Sequence, residues 1–72
     1  MKTFDDKLTR VIIKLAYRLD DEKHQAAHEI LAEIEGREIE LFGADISEKE
    51  LMQKLNRLIN QRYLRNKKIS RL

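Results

Sequence analysis

"ISEKELMQKLNRLINQRYLRNKKISRL" (Ile46–Leu72) is the stretch on which the fold depends. Ser47 stands three residues before Glu50, the spacing of a capping box. There the hydroxyl accepts from a free backbone N–H and the carboxylate reaches back to the cap residue. Ile46 and Leu51 flank the cap where a hydrophobic staple fixes the entry of the chain. Leu51, Met52, Leu55, Leu58, Ile59 and Tyr63 then recur at helical spacing and form one broad apolar arc. Continued, the arc meets Arg62 and Asn66, both polar. The pattern predicts a helix over residues 48–64 and a basic overhang over residues 62–72 that has left the core.

The same stretch concentrates the positive charge. From Leu51 onward there are seven Lys or Arg (Lys54, Arg57, Arg62, Arg65, Lys67, Lys68 and Arg71) and no Asp or Glu. Residues 1–50 hold eight cations against thirteen carboxylates, so the two parts carry −5 and +7 and sum to the net +2. Such asymmetry asks for an acidic partner, outside the molecule or within it. On a helical wheel Lys54, Arg57, Gln61, Arg65 and Lys68 share one strip, about 21 Å long at 1.5 Å per residue.

Upstream, Phe4, Leu8, Val11, Ile12, Leu15 and Leu19 make one apolar stripe, predicting a helix over residues 4–19 with Thr3 and Asp6 at its start. Ile13 and Tyr17 lie off that stripe, four apart and so adjacent on the helix surface. A core needs a single stripe, so the second patch points to a protein contact. Asp20-Asp21-Glu22 breaks the chain, because carboxylates are unfavourable at one helix end and favourable at the start of the next. A second helix is expected over residues 22–42, with a stripe on Ala27, Ile30, Leu31, Ile34, Leu41 and Phe42. Gly36 interrupts it and Glu38 falls on the stripe, leaving a fray or kink after Gly36 as the preferred reading. A short strand over residues 37–42 is the alternative.

Folding the third helix back on the second, with the turn near Asp45, sets residue i opposite residue 90 − i. Glu33 then approaches Arg57, Glu29 approaches Arg62 and Glu22 approaches Lys68. The overhang cations Arg65, Lys67 and Arg71 have fewer such partners. The expected fold class is all-α in one domain over residues 1–72. It is a three-helix up-down-up unit or a helical hairpin, assembled as a dimeric bundle. Dimerisation follows from length, since 72 residues bury a marginal core.

Composition narrows the function. With no cysteine there is no disulfide or thiolate zinc site, and the content fits a cytoplasmic protein. No apolar run exceeds three residues, as in Val11-Ile12-Ile13, so neither a membrane span nor a signal core is expected. His24 and His28, with Asp20 four residues before, have spacing that can present ligands to zinc, but lack a distant third ligand. They are weak metal candidates, and no cofactor is expected. Glycine occurs only at 36 and 43, so no phosphate-cradling loop exists, and no nucleophile–base pair is visible. "LNRLIN" (Leu55–Asn60) resembles the second helix of the small sporulation-regulating aspartyl-phosphate phosphatases. Their Ser-x-x-x-Asp motif falls here on Met52 and Asn56, so no activity is carried over.

The sequence thus points to a non-enzymatic regulator, adaptor or inhibitor of phage or plasmid type. It would act by helix-mediated binding to a macromolecule, with no small-molecule substrate. Ile13 and Tyr17 are the protein-contact candidates, and Lys54, Arg57, Arg62, Arg65, Lys67, Lys68 and Arg71 would meet an acidic partner. A protein partner ranks ahead of RNA or DNA bound by the third helix and its tail.

Overall fold

The computed structural model describes residues 4–70, with side chains to Lys68. Thr3 and Arg71, both singled out above, lie outside the described residues. The protein is all-α, and its described residues form four helices and no strand. α1 runs Phe4–Arg18. Asp5 and Asp6 occupy its first turn and Arg18 its last, each sign matched to the helix dipole. Phe4, Val11 and Leu15 are its buried face.

α2 (Asp21–Ile34) begins without any glycine or proline to mark the break. Asp20 is extended at φ −78°, ψ 174°, and its carboxylate accepts the Lys23 amide at 3.0 Å. That bond satisfies an amide with no intrahelical partner, which makes a new start cheaper than one continuous helix.

The second helix expected over residues 22–42, with a fray or kink after Gly36, is divided in the structure into two helices. α2 stops at Ile34, and a separate short α3 covers Glu38–Phe42. Gly36 adopts φ +82°, a left-handed conformation that ends helices and suits glycine. The Arg37 amide bonds the Ile34 carbonyl at 2.8 Å across this turn. Residues 37–42 are therefore not a strand. Because the chain turns at Gly36, Leu41 leaves the stripe assigned to it and is 44% exposed, while Phe42 still packs on the core. Glu38 opens α3 instead of interrupting a buried face.

Gly43, at φ +88°, closes α3 by donating its amide to the Ile39 carbonyl at 2.8 Å. α4 (Glu48–Ser70) follows, and Ser47 Oγ accepts the Glu50 amide at 3.1 Å. Ile46 and Leu51 are both buried, so cap and staple form together. Twenty-three residues make α4 about 34 Å long at 1.5 Å per residue. It continues to Ser70 instead of ending near residue 64.

Both α1 and α2 pack on α4, which is the spine of the fold. Leu51 and Leu55 of α4 are fully buried against Val11 and Leu15 of α1 and Ala26, Ile30 and Ile34 of α2. No polar or charged residue is buried among the described residues. The body measures 47 × 24 × 16 Å, so its thinnest dimension is about one and a half helix diameters. A layer that thin leaves one face of α4 uncovered.

Candidate functional site

Two surfaces flank α4, one consumed internally and one open. On the inner flank, Arg62 donates to Glu29 at 3.4 Å and forms a second ion pair with Glu33. The Asn66 amide donates to Glu29 at 3.1 Å, and the Tyr63 hydroxyl donates to Glu22 at 2.9 Å. The Glu29–Arg62 pair is the one antiparallel register predicts. Glu33 turns to Arg62 instead of Arg57, and Glu22 to Tyr63 instead of Lys68. A fold-back rule fixes height along the helix, while side-chain length and rotation choose among residues three or four apart. Asn66 and Tyr63 were missed as partners because only charges were paired; the register itself could have found them. Arg62 faces inward, so the basic overhang does not begin at residue 62.

The Asn66 amide, ahead of the Arg62 and Gln25 hydrogen bonds, holds the Glu29 carboxyl below its ordinary value of 4.5. The hydrogen bond and negative charge of Glu22, with partial burial, raise the Tyr63 hydroxyl above its ordinary value. Hydrogen bonding to Glu33 and the charges of both carboxylates raise Arg62 against partial desolvation. A carboxyl depressed in the folded state stabilises fully above its unfolded value, and that share is lost as pH falls through the lowered one. Thermal stability should therefore fall as pH drops below about 4.5. Glu29→Gln should lose part of this pH dependence while remaining folded at neutral pH. Identical pH curves for the two proteins would show that the Glu29 cluster carries none of it.

The α1–α4 side is also tied by charge. Arg10 bonds Glu48 at 2.7 Å, with Lys14 at 4.0 Å, and the Lys7 ammonium donates to the Ala44 and Ile46 carbonyls. Their value is positional, since half-exposed ion pairs contribute only about 0–1 kcal/mol each. Nothing in the sequence pattern pointed to Lys7, because its acceptors are backbone atoms of a distant turn.

The outer flank is different. Lys54, Arg57, Arg65 and Lys68 are all exposed, and the described ion pairs use Arg10, Lys14 and Arg62 instead. Lys67 lies 5.7 Å from the Tyr63 ring centre, whose other neighbour is Lys23 at 5.6 Å. Leu64, 57% exposed, sits among these cations. On α1, Ile13 and Tyr17 are 51% and 88% exposed, forming the off-stripe patch.

His24 directs Nε2 at the Ala16 carbonyl, 2.8 Å away, so that nitrogen carries the proton. Asp20 is engaged as the α2 cap, and His28 is exposed. No group of three or more potential metal ligands gathers among the described residues. A shallow open groove of about 320 Å³ between α2 and α4 is lined by Ile30, Glu33, Leu58, Gln61, Arg62 and Arg65. Its one carboxylate is already paired with Arg62. No described helix is long and apolar enough to cross a membrane. No protein-family model matches the chain, and no curated protein or solved structure matches it either.

Proposed function

We propose that this chain is a non-enzymatic regulator, adaptor or inhibitor of phage or plasmid type. It works in the cytoplasm by docking a helix surface on a macromolecular partner, without a cofactor or small-molecule substrate. The carrying observation is the Ile13–Tyr17 pair: an isoleucine half exposed and a tyrosine almost wholly exposed, adjacent on one face of α1. Tyrosines set among apolar neighbours are frequent anchors of protein contacts, because they bury large area at low entropy cost. Ten of the described residues make up the buried core, so added burial in an assembly would stabilise the fold. In this reading three long helices, up-down-up, pair as a homodimer, and a protein partner ranks first among other occupants.

Tyr17→Glu is the test. It should lower the mass measured by light scattering, or abolish capture of a protein partner, while far-ultraviolet circular dichroism stays unchanged. Unchanged mass and an unchanged capture profile would overturn the reading.

A second reading, nucleic-acid binding, is supported by a different surface. The exposed side of α4 carries Lys54, Arg57, Arg65 and Lys68 in a segment with no carboxylate, with Lys67 and the C-terminal tail continuing the charge. Affinity capture with and without nuclease separates the two. Partners lost on nuclease treatment favour this second reading.

A further inference from the structure

Away from Leu51, Leu55 and Ile59, α4 carries a strip that is ordered along its length as well as positively charged. Lys54 and Arg57 stand at one end, and Arg65 and Lys68 at the other. At 100° per residue, all four fall within an arc of about 80°. Between them along the axis lie Gln61, inside the arc, and Leu64, about 20° beyond its edge, both exposed. The sequence of functions is thus cation, amide with apolar contact, cation.

Glu50 lies on this side one turn earlier, and it would repel phosphate at the helix start. Contact would therefore begin after the first turn. α1 and α2 pack on the Leu51–Leu55–Ile59 side, and α2 borders this strip only where Gln61 and Arg65 line the shallow groove with Ile30 and Glu33.

Resting on the nucleic-acid reading, we infer that the outer face of α4 between Gln53 and Lys68 seats in the major groove of duplex DNA. The groove is about 12 Å wide and admits one helix of about 10–12 Å diameter. Cations separated by about 21 Å reach the phosphates on the rims, and the central Gln61 amide meets base edges. A glutamine suits adenine N6 and N7, and an exposed leucine suits the thymine methyl.

Charge complementarity selects the occupant, and geometry then distinguishes among nucleic acids. The major groove of an RNA duplex is too deep and narrow for side chains to read. A single strand needs aromatic platforms for its bases. The Tyr63 ring is flanked by Lys23 and Lys67 and held by Glu22, while Tyr17 lies on another helix. Neither forms a row with the α4 cations.

The full chain is titrated into a labelled mixed-sequence DNA duplex of about 20 base pairs, with matched RNA duplex and single-stranded DNA arms. Four phosphate contacts predict a log–log salt slope of about −3.6, a loss on the order of 10²-fold between 50 and 200 mM salt. Arg65→Gln with Lys68→Gln should halve that slope, whereas Glu50→Lys should tighten binding and Tyr17→Glu should leave it unchanged. Chemical methylation adds a direct readout. Saturating protein should protect guanine N7 in the major groove and leave adenine N3 in the minor groove reactive.

Protection at adenine N3 alone would overturn the groove assignment. Preference for RNA or the single strand would overturn it while leaving the nucleic-acid reading standing. No binding to any arm at 50 mM salt would sink both.

Discussion

Leu55→Ala should lower the unfolding free energy by about 2–5 kcal/mol, the range for emptying a leucine site in a packed core. Leu55 is 0% exposed and lies in the middle of the α4 face, in the core to which α1 and α2 both contribute. No polar residue is buried there among the described ones, so the loss is one of apolar transfer and cavity formation. A domain of this size typically has about 4–11 kcal/mol in all. The variant should therefore be partly unfolded at physiological temperature, with a denaturation midpoint well below that of the parent. Exposed Leu64→Ala is the control, and its midpoint should move little. Equal shifts for the two variants would mean that α4 does not carry the core as described.

Gly43→Ala should cost about 1–3 kcal/mol through the backbone alone. Gly43 sits at φ +88°, ψ 136°, where a side chain is strained. No heavy atom lies within 4 Å of the position a Cβ would take, so steric contact adds nothing. The strain acts on the junction that ends α3 and leads into the Ser47 cap, and the result should be a lower midpoint with native-like helicity. An unchanged midpoint would place the residue in an ordinary conformation. The same substitution in a helix interior would stabilise by about 1 kcal/mol, so even the sign is informative.

Much of this architecture is legible in the residues. The Ser47 cap, the Ile46–Leu51 staple and the spacing of Leu51, Leu55 and Ile59 fix the start and buried face of α4 by local chemistry. The break at Asp20 follows from the same kind of interaction, a carboxylate bonding an amide three residues ahead. The exposure of Ile13 and Tyr17 also follows from period alone. Gly36 was recognised as an interruption, but its direction was not readable. A glycine adopts positive or negative φ with similar ease, and the surrounding packing decides which.

The inner cluster was half legible. Antiparallel register brings Glu29 to the height of Arg62, yet choosing among Arg57, Arg62 and Tyr63 requires the rotation of two helices about their own axes. A difference of three or four residues in sequence is a small movement in space. Side chains as long as arginine span it.

The sequence by itself determined the helical class, the capped starts, the stripe that becomes the core and the charge divided between the two parts of the chain. These depend on interactions within one or two turns. The tertiary structure decided which cations are consumed and which face outward. Arg62 became internal because α2 brought Glu29 and Glu33 to it, while Lys54, Arg57, Arg65 and Lys68 stayed exposed, Arg65 at the rim of the α2–α4 groove. Period identifies a charged face; only the packing of the other helices determines whether an acidic partner is already there.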